Sequence, residues 1–135
     1  MIRTTSDGDV CEIRLDRPEQ RNALTRAGLT ALETAVEDAT APVLYLSGAG
    51  PAFCAGADLD VVRSLDGKEA DAFAALGQRV ARTLATYDGA VVAGIDGAAR
   101  GGGVELALAC DLRVATPDAT FAETGVKLGL FGAWG

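Results

Sequence analysis

The sequence contains no histidine. That absence removes the Ser-His-Asp and Cys-His arrangements of nucleophilic catalysis and most zinc sites. Cysteine is scarce too. Cys11, Cys54 and Cys110 are an odd number with no C-x-x-C spacing, so they read as reduced, semi-buried thiols of a cytoplasmic protein rather than a disulfide framework or a metal cage. Long apolar runs are missing. No stretch approaches the length of a membrane span without a charge or glycines, and the opening MIRTTSDGDV has no apolar run behind its charges. Neither a membrane segment nor a secretory signal is expected. Positive charge is in the minority: 12 Lys and Arg against 19 Asp and Glu leave a net charge of −7. Such a surface repels a phosphate backbone, so no nucleic-acid partner is expected. The nucleotide loops are absent as well. GAGPAF (48–53) begins like G-x-G-x-x-G but lacks its last glycine, and no G-x-x-x-x-G-K-[ST] occurs. Acid–base chemistry therefore falls first to carboxylates, with Tyr, Cys and Lys behind them.

What remains is a globular balance. The chain has 135 residues, 49% of them apolar and 23% charged, which suits one domain with a real core. IRTT leads through Ser6-Asp7-Gly8-Asp9 to VCEIRL, a hairpin pattern that ends before Pro18. Thr25 is a fitting N-cap for a helix with Leu29, Leu32, Val36 and Ala39 on one face, closed by Pro42. VLYL (43–46) reads as a buried strand and SGAGPAFCAGADL as a loop. A helix over roughly residues 69–87 follows, with Phe73, Leu76, Val80, Leu84 and Tyr87 as its stripe. AVVAGI is another buried strand. After the triple glycine come a short helix from about Val104 to Cys110 and a strand, LRVAT. Strand and helix alternate, which predicts an α/β fold with largely parallel pairing.

Two glycine-bearing loops, CAGAD (54–58) and GGGVE (101–105), each precede helical sequence. A helix start offers N–H groups without internal partners, and glycine lets another atom approach them. One N–H from each loop, converging on a carbonyl oxygen, would form an oxyanion hole, with Glu105 beside it as an acid–base group. Spacing alone leaves a plainer reading open. A glutamate in a first helical turn complements the macrodipole, and glycines between strand and helix often serve only a tight turn. Cys54 has no base to activate it and reads as a packed thiol.

RLDRPEQRNALT, GAGPAFCAGADL, IDGAARGGGVELALACDLRVAT and FAETGVKLGL together resemble, in order and spacing, the successive signatures of the crotonase, or enoyl-CoA hydratase/isomerase, family. The resemblance covers essentially the whole chain. It implies a spiral of ββα units, with residues 1–135 forming an acyl-CoA-binding core and the family's C-terminal helical region absent from this chain. It implies acyl-CoA thioesters as substrates, an enolate held by an oxyanion hole, no separate cofactor because coenzyme A is part of the substrate, and homotrimers or hexamers at full length. Carried over by position, the oxyanion donors are the amides of Ala57 and Gly102, and Glu105 is the first catalytic acid. Asp58 and Leu59 are the motif residues after the first donor. Gly101 and Gly102 complete the substrate loop, and Ala23, Leu24, Ala55 and Ala57, with Arg21 in support, are the expected CoA contacts. One departure stands out. The second glutamate of the hydratases falls at Gly125, with Glu123 two residues earlier as the candidate second acid. A single retained acid suits double-bond isomerisation or another enolate reaction better than hydration. The alternative within the same fold is a non-catalytic acyl-CoA-binding or assembly protein.

Overall fold

The computed structural model describes all 135 residues. Strands β1 (Ile2–Asp7) and β2 (Val10–Leu15) form the expected antiparallel hairpin. Alternation along β2 sends Cys11, Ile13 and Leu15 into the core. The Thr25 side chain accepts the Gly28 N–H at 3.1 Å and starts helix α1 (Arg26–Glu37), which buries Leu29, Leu32 and Val36. This helix ends before the expected point. Ala39 lies beyond it and Pro42 is not its stop. The intervening Asp38, Thr40 and pre-proline Ala41 are all weak helix positions, so the chain leaves the helix early.

From there one pattern runs three times. Strand β3 (Val43–Gly48) is followed by β4 (Ala52–Cys54) and helices α2 (Leu59–Ser64) and α3 (Gly67–Ala85). Strand β5 (Ala90–Ile95) is followed by β6 (Ala98–Arg100) and α4 (Gly102–Ala109). Strand β7 (Leu112–Ala115) is followed by β8 (Thr120–Ala122) and a 3-10 turn over Thr124–Leu128. The first strand of each pair joins a five-stranded sheet ordered β1-β2-β3-β5-β7, parallel apart from the hairpin. The second joins a three-stranded parallel sheet ordered β4-β6-β8. Each turn of the chain thus lays one strand in each sheet and then a helical segment.

The α/β reading holds, but β4 falls where the sequence reads as loop, and β6 and β8 fall where it assigns no element. Three residues are too few to display a period of two. Helix α3 begins at Gly67, ahead of the expected start, because Asp66 and Glu69 form a reciprocal cap: the Asp66 carboxylate accepts the Glu69 N–H at 2.8 Å, and the Glu69 carboxylate accepts the Asp66 N–H at 3.0 Å. Its stripe of Phe73, Leu76, Val80 and Leu84 is buried against a core shared with α1 and the large sheet. Tyr87 lies past the helix end, where its hydroxyl donates to the Ala41 carbonyl at 2.6 Å. No helix is long and apolar enough to cross a membrane.

For the site, one pairing matters most. Strands β4 and β6 are parallel neighbours, with Cys54 opposite Ala99. The loops that follow them therefore leave the small sheet side by side, at the carboxyl ends where open α/β folds bind ligands.

Candidate active site

The two glycine loops do meet. Gly56 has φ +83°, and a Cβ there would lie 2.7 Å from the Arg100 carbonyl oxygen and 2.9 Å from the Gly102 nitrogen. The triple glycine answers three separate demands. Gly101 takes φ +49°, Gly102 abuts the Trp134 ring, and a Cβ on Gly103 would strike the Cys54 carbonyl oxygen at 2.2 Å. The Ala57 amide is passed over by the local bridge. Leu24 donates its N–H to the Gly56 carbonyl at 2.7 Å and accepts the Asp58 N–H at 2.9 Å. Gly102 opens α4, so no helical carbonyl precedes it. Neither amide is engaged by the fold.

A polar clamp, which the sequence reading did not anticipate, sets the first loop. Asn22 is fully buried with φ +58°, a conformation asparagine tolerates better than most residues. Its Nδ2 donates to the carbonyls of Ala49 (2.9 Å), Ala52 (2.8 Å) and Phe53 (3.3 Å), and its Oδ1 accepts the Arg17 N–H at 2.9 Å. The Arg17 guanidinium donates to Asp58 Oδ2 at 2.6 Å, and Asp58 Oδ1 accepts the Asp60 N–H at 3.0 Å to cap α2. That guanidinium holds the Asp58 carboxyl below its ordinary range. Arg17 and Asn22 sit inside RLDRPEQRNALT, but no periodicity marks Asn22 as buried or Arg17 as its partner.

Ala55, Ala57, Leu59, Gly101, Gly102, Glu105 and Glu123 line one cavity of about 580 Å³, with Gly125 on the same wall. Arg21, Ala23, Leu24 and Asp58 do not line it. Leu24 is wholly buried, with both its backbone groups bonded into residues 56–58, and Asp58 is committed to Arg17 and the α2 cap. Arg21 lies on the outside, its carbonyl accepting the Ala55 N–H at 2.9 Å, and the Ala23 carbonyl accepts from Arg17 at 3.3 Å. These bonds tie residues 54–58 to the segment 17–24. Cys54 lies under it, and burial pushes its thiol up to about 12, in keeping with a packed, unreactive group.

Glu105 is 8% exposed. Its Oε1 accepts the N–H groups of Trp134 (2.8 Å) and Gly135 (3.1 Å). Glu123 directly precedes the 3-10 turn over Thr124–Leu128. Burial, and then the nearby charge of Glu105, raise its carboxyl above the usual range. The sign yields a prediction. Glu105→Gln removes a like charge, so the Glu123 pKa falls, while the part due to burial stays. Carboxyl-carbon NMR titration reads the change; an unmoved Glu123 would mean that the two groups share no field.

The chain matches the family model described as enoyl-CoA hydratase/isomerase over residues 5–135. Crotonyl-CoA hydratase of Syntrophomonas wolfei is 37% identical over 126 residues, which are 90% of this chain and 48% of that protein. A probable enoyl-CoA hydratase of Mycobacterium tuberculosis is 41% identical over 137 residues, covering 96% of this chain and 53% of its own length. The crystal structure of enoyl-CoA hydratase from Bacillus anthracis superposes with a TM-score of 0.93 at 32% identity, covering 99% of this chain and 54% of that one. The enoyl-CoA hydratase of Thermoplasma volcanium gives 0.93 at 30% identity, covering 98% and 54%. The ββα architecture is shared with these structures, and the chain spans about half the length of the relatives it matches.

Proposed function

The chain belongs to the enoyl-CoA hydratase/isomerase family, and on that premise we propose that it acts on acyl-CoA thioesters through an enolate, with Glu105 moving the proton. One observation carries the reading. Two amides left unengaged by the fold, those of Ala57 and Gly102, come from adjoining loops and line the same cavity as a buried carboxylate. A thioester carbonyl oxygen seated between those N–H groups would be stabilised as it gains charge.

The chemistry then needs little else. Glu105 takes a proton from carbon next to the carbonyl or its conjugated position. The C–H electrons become a C=C bond, and the carbonyl π electrons move onto the oxygen held by the two amides. Returning the proton at the other carbon shifts the double bond with atoms and charge conserved. Oε1 of Glu105 is held by the Trp134 and Gly135 amides, so the other oxygen is the one placed for transfer. Glu123 is the candidate second acid, since it lines the same cavity and burial, then the charge of Glu105, raise its carboxyl above the usual range. Gly125 in place of the family's second glutamate favours isomerisation or another enolate reaction over hydration.

The test is incubation of the protein with short unsaturated acyl-CoAs, following thioester absorbance and product mass. The expected result is a double-bond shift at unchanged mass, faster than any gain of water. Dominant hydration would replace the one-acid reading with a two-acid one using Glu123. Binding without any conversion would favour a non-catalytic acyl-CoA binder.

A further inference from the structure

Helix α3 carries a glycine, Gly77, on its buried face, although glycine is a poor helix former. The space it leaves is occupied. A Cβ at Gly77 would meet Trp134 Cδ1 at 2.2 Å, and one at Gly102 would meet Trp134 Cζ3 at 2.2 Å. Two glycines on different helices thus form a slot, and the indole fills it, edge-on to Phe73 at 6.0 Å between ring centroids. Trp134 is 5% exposed, whereas Phe131, one turn of sequence earlier, is 86% exposed.

Trp134 also lines two cavities. One is the 580 Å³ chamber holding Ala57, Gly102 and Glu105. The other, about 740 Å³, lies along α3 and α4, lined by Gln78, Ala81, Arg82 and Leu108 among others. Ala74, Glu105, Phe131, Ala133 and Trp134 line both, so the two cavities adjoin at these residues. Of these, only Trp134 puts a large apolar side chain inside the protein. The ring touches Gly102, whose amide is a proposed oxyanion donor, and its own backbone N–H holds Glu105. An acyl chain running from the oxyanion hole past Glu105 therefore meets the indole within a few carbons.

We propose that the Trp134 indole is the inner end wall of the acyl chamber and restricts the site to short or compact acyl groups. The inference rests on the acyl-CoA reading above. It assigns Trp134 a specificity role and no part in proton transfer.

Trp134 is the only tryptophan in the chain, so emission excited selectively at tryptophan, clear of Tyr45 and Tyr87, reports on this wall alone. In titrations of the protein, butyryl-CoA is expected to shift the emission beyond the effect of free CoA, and dodecanoyl-CoA to bind at least about tenfold more weakly than butyryl-CoA. Trp134→Ala joins the two cavities and should reverse that preference by at least about tenfold; Trp134→Phe should move it part of the way. Circular dichroism verifies folding. If the alanine variant does not fold, the phenylalanine variant and the fluorescence of the unaltered protein decide. An unchanged chain-length preference in folded variants, or identical emission with CoA and butyryl-CoA, would overturn the wall while leaving the acyl-CoA reading intact. No binding of any acyl-CoA by the unaltered protein would overturn both.

Discussion

Glu105→Gln is expected to lower turnover by about 10²- to 10⁴-fold while leaving acyl-CoA affinity nearly unchanged. The substitution is close to a pure test of proton transfer. Glutamine keeps the shape, and its carbonyl oxygen can still accept the Trp134 and Gly135 N–H groups that hold Oε1 now. What it loses is the capacity to take and return a proton. The competing account gives Glu105 only a macrodipole role in the first turn of α4. On that account the same change costs about 0.3–1 kcal/mol of stability and nothing specific in turnover. Steady-state kinetics beside a urea melt separates the two: a fall in kcat at constant midpoint supports proton transfer, and a shifted midpoint with normal kcat sinks it.

How much of this was legible beforehand depended on length and on locality. The hairpin, α1 and α3 have long, regular patterns, and Thr25 announces its helix by a cap that acts within three residues. Strands β4, β6 and β8 have three residues each and take their identity from neighbours in a second sheet, which no local pattern encodes. The same division runs through the site. Gly56, Gly101 and Glu105 stand out because they break an apolar pattern. Asn22 and Gly77 are equally constrained, but what constrains them lies far along the chain: the Ala49–Phe53 carbonyls in one case and the Trp134 ring in the other. Leu24 is constrained in the same way: its side chain is wholly buried and its backbone pairs with residues 56–58 beneath the loop.

The clamp beneath that loop gives the other large expected effect. Asn22→Asp changes one NH₂ group to an oxygen, in a residue with no exposed surface. That group now donates to the carbonyls of Ala49, Ala52 and Phe53. After the change, an acceptor faces acceptors, and a charge sits at a wholly buried position. Unsatisfied buried groups cost about 1–3 kcal/mol apiece, so a loss of roughly 3–6 kcal/mol is expected near neutral pH, a large share of a typical domain's stability. Asn22→Ala removes the same donors without adding charge and should cost less. The pH dependence fixes the cause. Burial and surrounding carbonyl oxygens raise the introduced carboxyl's folded-state pKa above its unfolded value. The protonated form therefore stabilises the folded state, fully below the unfolded pKa, and that advantage is lost as pH rises through the folded one. Urea denaturation of both variants at acid and neutral pH should show Asn22→Asp as the weaker protein at neutral pH, with the gap closing in acid. Equal stability of the two variants at both pH values would mean that Asn22 merely fills space. A gap that closes in acid would identify the buried charge, set against the carbonyls of Ala49, Ala52 and Phe53, as the cause of the loss.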